Sequence, residues 1–334
     1  MAGNGSVSCF PRSDRALRGI DPVRFTGSAK QVEFSSVFQK PDIMSPDRYC
    51  QEKAAASGSS FYYSFLFLPP DQRQAITALY AFCREVDDVV DECSDVGVAR
   101  TKLDWWRNEL ERCFGGNPTH PVTRALLEPV KSRNLPMEYF QEIIDGMAMD
   151  LDETRYESFS DLALYCHRVA GVVGLLSAEI FGYRNRSTLK YAETLGTAFQ
   201  LTNILRDIRE DAGRGRIYLP LDELLEYQVN PHDLLQLNPG EGMRALCHHQ
   251  AQRAHDYYRR AIDYLPEIDR ESQRSGLIMA AIYRTLLQEI EQDDYRVMEH
   301  RVRLTPLRKL WIAWNTARRE RRRQRKFRKA VAGA

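Results

Sequence analysis

The sequence predicts an all-α protein with a single main domain, and three observations support this fold class. From Ser45 onward, apolar residues recur three and four positions apart, which is the spacing of one face of an α-helix, and few runs alternate as strands do. Hydrophobic residues make up 43% of the 334 positions, enough for a substantial buried core. Residues 45–300 contain neither a repeat of fixed period nor a Gly/Ser-rich linker, so one domain over residues 44–300 is the economical interpretation.

Proline, glycine and capping residues place the individual helices. Pro69-Pro70 opens a helix that continues to Asp91, because proline is tolerated in a first turn. Gly115–Pro118 and Asn134–Pro136 predict breaks. A helix is predicted over Pro136–Asp150, and the next runs from a cap at Ser160-Asp161 to Phe181, where Gly182 ends it. Another is predicted over Ser187–Asp211 and is ended by Gly213 and Gly215. The last three are predicted over residues 240–264, 268–293 and 304–329.

The two ends of the chain differ from its middle. Residues 1–43 are rich in Gly, Ser, Pro and Arg without periodicity, which predicts a disordered or dispensable extension and a folded protein that begins near Met44. The net charge is +1, but residues 301–334 hold 13 Lys and Arg against Glu320 alone, a local charge of +12 that leaves −11 on the rest. This asymmetry predicts an anionic partner for the tail.

Cysteine usage and hydropathy predict the compartment. The seven cysteines are odd in number, scattered and without paired zinc spacing, which indicates reduced thiols. Cys247-His248-His249 is expected to lie on a helix face, since no second ligand pair accompanies it. The longest uncharged apolar run, Val169–Ala178, is far shorter than the ~20 residues of a membrane span. The N-terminus lacks the apolar core of a signal peptide, so we expect a cytoplasmic protein.

The stretch REVDDVVDE, residues 84–92, concentrates acidic charge on a predicted helix. At about 100° per residue, Arg84, Asp87 and Asp91 fall on one narrow face with Tyr80, beside the apolar stripe that faces the core, and Asp88 falls at its edge. Carboxylates directed towards a core are costly unless they are paired or bind cations. The pattern therefore indicates either an internal ion pair with Arg84 or a metal site. The acids outside this face, expected to be structural, are Glu85 and Glu92.

A second predicted helix repeats this arrangement in QLTNILRDIRED, residues 200–211. Its polar face carries Gln200, Asn203, Asp207 and Asp211, flanked by Arg206 and Glu210. Two such faces opposed across a bundle would form a box of hard oxygen ligands, which suits Mg²⁺, with Mn²⁺ as an alternative. A di-iron site requires Glu-x-x-His motifs, and none of the seven histidines follows a glutamate at that spacing. The predicted metal ligands are Asp87, Asp88, Asp91, Asn203, Asp207 and Asp211.

Arginines close to these aspartates in sequence complete the predicted site. A cation held between acidic walls attracts diphosphate, and guanidinium groups match the geometry of the remaining phosphate oxygens. The candidates are Arg84, Arg206, Arg214 and Arg216. The segment Arg214–Tyr218 is interpreted either as a flexible basic flap over the site or as an ordinary solvated turn.

Together, these motifs resemble those of the squalene and phytoene synthases, the head-to-head prenyl transferases. The resemblance spans about residues 47–295 and rests on the two aspartate motifs, Asp87–Asp91 and Asn203–Asp211, and on three further segments, Ser59–Phe65, Tyr165–Gly174 and Gly215–Pro220. Within the family, Lys53–Pro70 and Ala81–Asp95 are most similar to bacterial presqualene diphosphate synthases of the hopanoid pathway.

The resemblance implies an isoprenoid-synthase helical bundle with a central active-site cavity, in which two farnesyl diphosphates are joined to presqualene diphosphate. The implied catalytic residues are Tyr80, Asp87, Asp91, Asp207 and Asp211, and the implied substrate-binding residues are Phe61, Arg84, Gln200, Asn203, Arg206, Arg216 and Tyr218. NADPH is not expected, because the hopanoid subfamily stops before reduction. The alternatives are a phytoene synthase acting on geranylgeranyl diphosphate, a complete NADPH-dependent squalene synthase, and a helical scaffold without enzymatic activity.

Three features of the implied cavity stay open at this point. Phe61 and Tyr80 either face a carbocation or simply pack in the core. Gly171, Gly174 and Ala178 either leave room for prenyl chains or allow close helix packing. Tyr80 and the departing diphosphate are both candidate proton acceptors.

The C-terminal tail is predicted to form a basic amphipathic helix. Leu304, Leu307, Leu310, Trp311 and Trp314 recur at helical spacing beside Arg308 and Lys309, and residues 318–329 are almost wholly basic. Such a helix suits an anionic membrane surface, which predicts a peripheral protein at the inner face of the membrane. A nucleic acid is the generic alternative and is not expected here, and downstream isoprenoid enzymes are further candidate partners.

Overall fold

The computed structural model describes residues 44–56, 60–238 and 240–332, and these residues contain no strand. The predicted extension over residues 1–43 lies outside them and stays a prediction. The helices are α1 (Pro46–Ala56), α2 (Ser60–Phe65), α3 (Pro70–Glu92), α4 (Val96–Phe114), α5 (Pro121–Ser132), α6 (Met137–Asp152), α7 (Phe159–Cys166), α8 (Val172–Phe181), α9 (Ser187–Arg206), α10 (Ile208–Ala212), α11 (Leu221–Glu226), α12 (Pro231–Leu235), α13 (Gly242–Tyr264), α14 (Arg274–Gln292) and α15 (Pro306–Ala332).

Two long helices organise the bundle. The helix α9 packs against α8, α13 and α14, and it buries side chains around its whole circumference, as a central helix does. The helix α3 packs against α1, α4, α5, α6 and α8 and buries most of its length. Because α8 contacts both, the two acidic segments belong to one core, which confirms the predicted all-α bundle.

Local sequence explains where several helices begin. Pro70 lies in the first turn of α3, as predicted. The Asp95 side chain caps α4 by accepting the Val98 N–H at 2.9 Å. The cap predicted at Ser160-Asp161 is wrong: Ser158 is the N-cap of α7, and Asp161 is its partner in a capping box.

The helices α7 and α8 are joined by a π-helical segment, His167–Gly171, into one run from Phe159 to Phe181. This run is longer than the uncharged stretch seen in the sequence, and by length and composition it is the one candidate membrane span among the described residues. However, 61% of its most apolar window is buried in the bundle, so it has the character of a core helix. Gly182 ends it with φ of +78°, in the left-handed region that glycine favours.

The predicted helix Ser187–Asp211 is interrupted. The helix α9 ends at Arg206, and Asp207 adopts φ −103° and ψ 12° before α10 begins. The backbone hydrogen bonds from Asp207 to Asn203 and from Asp211 to Asp207 persist at 2.9 Å each. The four-residue spacing of the polar face therefore survives the interruption.

The helix predicted to begin at residue 268 begins instead at Arg274. The reason is Asp269, whose carboxylate accepts the backbone N–H groups of Arg184 and Asn185 and the hydroxyl of Thr188. These bonds hold the turn before α14 against the start of α9. The other late start, that of α13 at Gly242, follows a tight contact, since a Cβ there would lie 1.7 Å from the Tyr227 carbonyl oxygen.

The Cys-His-His cluster and most of the predicted C-terminal helix fall on helices. Cys247 is buried in α13, and His248 lies 3.0 Å from the Tyr295 hydroxyl, so this cluster occupies a helix face as predicted. The helix α15 is docked on α14 and α2 and buries Ile312, Ala313 and Ala317. Leu304, predicted to join the amphipathic face, is buried instead.

Candidate active site

The acidic face of α3 and the segment that follows α10 are in direct contact. Arg214 Nη1 lies 2.9 Å from Asp91 Oδ1, and Arg216 Nη1 lies 3.7 Å from the same oxygen. All three side chains are largely buried. The two acidic motifs, about 120 residues apart in the chain, therefore face one another across the bundle.

On the α3 side, Arg84 holds two aspartates. Its Nη1 donates to Asp87 Oδ2 at 2.6 Å, and its Nη2 donates to Asp88 Oδ1 at 2.5 Å. Asp88 also pairs with Lys53 of α1 at 2.8 Å, which directs it away from the opposing motif. Lys53 pairs with Glu85 as well, in keeping with the structural role expected for that acid. The internal ion pair of Arg84 is real, and it leaves Asp88 apart from the other predicted ligands.

On the opposing side, Asp207 is held by two arginines. Arg206 Nε donates to Asp207 Oδ1 at 2.7 Å, and Arg301 Nε lies 2.7 Å from the same oxygen. Arg301 Nη2 donates to Asp207 Oδ2 at 2.9 Å. Residue 301 is the first residue of the predicted basic tail, so the start of that tail belongs to the candidate site.

Other buried polar atoms beside Asp207 have no hydrogen-bond partner within the described part of the chain. They include both carboxylate oxygens of Asp211, Oδ1 of Asn203, Nε2 of Gln200 and Oε2 of Glu210. Asp211 is only 2% exposed, and Asn203 and Gln200 are fully buried. Buried polar atoms without partners are rare and costly in native proteins, so these atoms are available to hydrogen-bond or coordinate a bound ion, ligand or water.

A carboxyl group that the sequence prediction missed lies between the two motifs. Asp150, near the end of α6, accepts hydrogen bonds from the Tyr218 hydroxyl at 2.6 Å and from the Tyr165 hydroxyl at 3.1 Å. Burial raises its pKa to about 6, against the opposing effects of Arg216 and Tyr218. Asp150 also interacts electrostatically with Asp87 and Asp211, so it lies between the two acidic faces.

Burial also raises the pKa of two predicted ligands. The pKa of Asp87 lies well above its usual range because of burial and the neighbouring Asp91, with Arg84 opposing the rise. The pKa of Asp211 is raised well above its usual range by burial and by Asp207. A further cation nearby would lower the pKa of both carboxyl groups and favour their ionised forms.

These acids fit a divalent cation with hard oxygen ligands. The chemistry is right because Asp211 and Asn203 offer buried oxygens without hydrogen-bond donors. No three His, Cys, Asp or Glu side chains within residues 44–56, 60–238 and 240–332 converge on one ion-sized point. That arrangement still suits Mg²⁺, which typically takes one or two carboxylates and completes its shell with substrate phosphate and water.

An apolar cavity extends from this cluster into the bundle. Gln200 and Asn203 lie in its wall, together with Tyr80 and Phe61. Phe61 of α2 is the hub of an aromatic group, with ring centroids 6.0 Å from Tyr80, 6.1 Å from Phe199 and 6.2 Å from Tyr283. The aromatic rings predicted from sequence therefore line a cavity rather than a solid core.

Glycines of the π-helical segment, of α8 and of α9 serve mainly close packing. A Cβ on Gly174 would lie 2.2 Å from the carbonyl oxygen of Ala192, and a Cβ on Gly196 would lie 2.2 Å from that of Ala170. Gly174 also borders the cavity, whereas Gly171 and Ala178 do not. Of the two interpretations left open by the sequence, helix packing applies to all three residues, and room for a chain applies to Gly174 alone.

The loop from Arg214 to Tyr218 is packed rather than loose. Ile217 N donates to the Thr154 carbonyl at 3.1 Å, and Arg155 Nη1 donates to the Gly215 carbonyl at 2.7 Å. Tyr218 is buried and does not border the cavity. The Tyr218 hydroxyl donates a hydrogen bond to Asp150, so Tyr218 positions Asp150 and does not itself line the cavity.

Asp150 and Arg301 are the residues that sequence reasoning missed. Asp150 follows Ile143 and Met147 on the apolar face of α6, which is the signal that singled out Asp87 and could have found it. Arg301 carries no such signal, because it precedes α15 in a segment without periodicity. Only the folded chain brings it to Asp207.

Known proteins with similar sequences and structures agree with the family that the motifs predict. The family model for squalene/phytoene synthase matches residues 54–308. The 15-cis-phytoene synthase of Synechococcus elongatus is 36% identical over 78% of this chain and 89% of its own length, and the phytoene synthase of Arthrospira platensis is 37% identical over the same shares. Among solved structures, a dehydrosqualene synthase with a bound ligand superposes with a TM-score of 0.74 at 29% identity, covering 81% of this chain and 95% of the other.

A second solved structure, squalene synthase HpnC of Alicyclobacillus acidocaldarius, gives a TM-score of 0.67 at 29% identity, covering 75% of this chain and 94% of the other. The fold is that of the isoprenoid synthases, and the family it belongs to is that of the head-to-head prenyl transferases. The chain belongs to the squalene/phytoene synthase family, as its motifs predict. Members of this family are transferases that use prenyl diphosphates.

Proposed function

We propose that this protein joins two farnesyl diphosphates head to head to form presqualene diphosphate, with Mg²⁺ or Mn²⁺ as its cofactor and without NADPH. The donor loses diphosphate as its C–O bond breaks, two new C–C bonds close a cyclopropane on the acceptor, and one proton is released. The observation that carries the proposal is the pair of aspartate motifs next to an apolar cavity, whose wall includes Asn203 of the second motif. The Asp211 carboxylate accepts no hydrogen bond from the described residues.

The carboxylates that would hold cations are Asp87 and Asp91 on one motif and Asp207 and Asp211 on the other, with Asn203 as a neutral oxygen ligand. Each ion would take one or two of them and complete its shell with substrate phosphate and water. When bound, it would neutralise the negative charge that grows on the leaving diphosphate. Asp88 is a weaker candidate, because Arg84 and Lys53 already occupy its two oxygens.

The arginines around the acids supply the remaining contacts for diphosphate. Arg84, Arg206 and Arg301 are each buried against an aspartate and stay charged, so they are positioned to meet phosphate oxygens when substrate enters. Arg214 and Arg216 lie beside Asp91 and interact electrostatically with Asp211. The anionic part of the substrate would then be surrounded by positive charge within a site that excludes water.

The cavity walls suit the reactive hydrocarbon. Phe61 and Tyr80 present aromatic faces that stabilise a carbocation without capturing it. Tyr80 lies in the cavity wall one and two helical turns before Arg84 and Asp87, which keeps it as a candidate proton acceptor beside the departed diphosphate.

Phytoene synthesis from two geranylgeranyl diphosphates is the second candidate. It is favoured by the curated relatives, which are phytoene synthases 35–37% identical to this chain. The farnesyl assignment is favoured by the similarity of Lys53–Pro70 to bacterial presqualene diphosphate synthases. It is also favoured by the solved structures, whose names refer to dehydrosqualene and squalene. Both candidates use the same acids and arginines and differ in the length of chain that the cavity accepts.

Product analysis separates these functions. Purified protein is incubated with Mg²⁺ and either farnesyl or geranylgeranyl diphosphate, with and without NADPH, and the lipids are identified by mass. We expect presqualene diphosphate from farnesyl diphosphate, with no change on addition of NADPH. Phytoene from the longer substrate would replace the proposal by its second candidate, squalene formed only with NADPH would extend the reaction, and no turnover of either substrate would favour a scaffold.

Arg301→Gln is expected to raise KM for the prenyl diphosphate about tenfold, because a buried charge-assisted hydrogen bond is worth roughly 1.5–3 kcal/mol. The matched control is Arg296→Gln, since Arg296 is exposed and pairs with Asp293 and Glu299 outside the site. Steady-state kinetics with varied prenyl diphosphate measures the difference. An unchanged KM in the Arg301 variant would show that this arginine serves Asp207 alone.

A further inference from the structure

We propose that the outward face of α15 docks the protein on an anionic lipid membrane. This docking face consists of an apolar half, Leu307, Leu310, Trp311 and Trp314, followed by a basic half, Arg318, Arg321, Arg322, Arg325 and Lys329. The family model ends at residue 308, so nearly all of the face lies beyond the part of the chain that defines the family.

The two sides of α15 are clearly distinct. Ile312, Ala313 and Ala317 are buried against the bundle. On the same side, Glu320 accepts a hydrogen bond from Arg270 at 2.8 Å, and Arg323 pairs with Glu267 at 2.6 Å. These contacts fix the rotation of the helix, and the residues of the docking face therefore point away from the protein.

The apolar half is unusually exposed for side chains of this size. Leu307 is 79% exposed, Trp311 is 62% exposed and Trp314 is 52% exposed, all within about two turns of helix. Leu310 is 41% exposed beside them. Large apolar side chains gathered on one outward face mark an interaction surface rather than chance exposure.

Few carboxylates of the protein neutralise the positive charge of the basic half. Within the described residues, no carboxylate lies within ion-pair distance of Arg318, Arg321, Arg322 or Arg325, although other arginines of the same helix are paired with Glu267 and Glu271. Arg318 instead lies over the Trp314 ring at 5.3 Å, at the boundary between the two halves. The positive charge of the face is therefore available to an external anionic partner.

The combination identifies a lipid surface as the partner. A nucleic acid would use the basic half but leave exposed leucines in water. A membrane with anionic headgroups matches both halves, because tryptophan and leucine enter the boundary between headgroups and acyl chains while arginines meet the phosphates. The surface also lies beside the cavity, since α15 contacts α2, whose Phe61 and Phe65 line it.

The test uses the full chain and vesicles of phosphatidylcholine, with or without phosphatidylglycerol, in a flotation assay. The apolar variant is Leu307→Ser/Trp311→Ser/Trp314→Ser, and the basic variant is Arg321→Gln/Arg322→Gln/Arg325→Gln. The matched control is Leu164→Ser/Leu225→Ser/Tyr264→Ser, which removes exposed apolar side chains from other surfaces. Thermal unfolding and turnover of detergent-dispersed prenyl diphosphate are measured for each protein.

We expect wild type and the control variant to float with the anionic vesicles. The apolar variant is expected to lose about tenfold or more of its binding to both vesicle types, and the basic variant to lose the preference for phosphatidylglycerol. All four proteins should unfold at similar temperatures and retain turnover in detergent, which separates this surface from the proposed catalytic function. Vesicle binding by the apolar variant equal to wild type, or binding displaced fully by RNA, would overturn the proposal.

Discussion

Asp211→Asn is expected to abolish prenyl transfer and to make the metal-free protein more stable at neutral pH. Both Asp211 oxygens are buried without a hydrogen-bond donor in the described residues. Burial and Asp207 raise the pKa of Asp211 although Arg216 and Arg214 oppose the rise, so the charge of the ionised carboxylate is only partly compensated until a cation binds. Asparagine keeps the shape and removes that charge. We expect a gain on the order of 2 kcal/mol in the metal-free protein, within the usual cost of an unsatisfied buried group, and a loss of activity of about a thousandfold or more.

The same carboxyl group gives the stability a definite dependence on pH. Because the pKa of Asp211 is raised in the folded state, the folded protein binds the proton more tightly than the unfolded chain. The resulting stabilisation is present below the ordinary carboxyl pKa and is lost as the pH rises towards the folded value. Asp150 acts in the same direction, over a window that ends at about pH 6. In chelator, the melting temperature of wild type should therefore fall as the pH rises, and that of Asp211→Asn should fall less.

Asp207→Asn provides the contrast. Asp207 is buried between Arg206 and Arg301, so its removal leaves two guanidinium groups without their partner. This variant should also be inactive but less stable than wild type, since breaking a buried pair from one side is strongly destabilising. Scanning calorimetry with chelator and with Mg²⁺ measures both variants. A lower melting temperature for metal-free Asp211→Asn than for wild type would contradict the interpretation of Asp211 as a carboxylate whose charge is incompletely compensated.

Gly174→Ala is expected to destabilise the protein by about 3 kcal/mol or more, because the added Cβ would lie 2.2 Å from a backbone oxygen that no rotamer change can move. The helices α8 and α9 would have to separate along the wall of the cavity, so the surviving activity should fall as well. Gly196→Ala meets the reciprocal contact with Ala170 and should behave alike.

The matched control is Gly240→Ala, because a Cβ at that position meets nothing within 4 Å. Denaturant unfolding of the three variants gives the change in free energy, and a reduced soluble yield with a lower midpoint would agree with it. A Gly174→Ala protein as stable as the Gly240→Ala protein would show that α8 and α9 can move apart at little cost.

The sequence was sufficient for the helical fold and for the face on which each acid lies. A helix fixes the angular position of its residues, so Asp87 and Asp91 could be placed beside the apolar stripe without knowledge of any other helix. The sequence could not show which basic side chain pairs with which aspartate. Asp88 pairs with Lys53 because of the way α1 packs, and Arg301 pairs with Asp207 because of the way the segment before α15 packs. No local sequence pattern predicts either packing.

The pattern of ion pairs in the site has a consequence for how its ligands bind. Arg84, Arg206, Arg214 and Arg301 each neutralise an aspartate that a cation would need. A diphosphate that draws these arginines towards its own oxygens frees the carboxylates, and a cation that takes the carboxylates frees the arginines. The cation and the substrate should therefore bind with positive heterotropic cooperativity, each tightening the affinity for the other by the same factor.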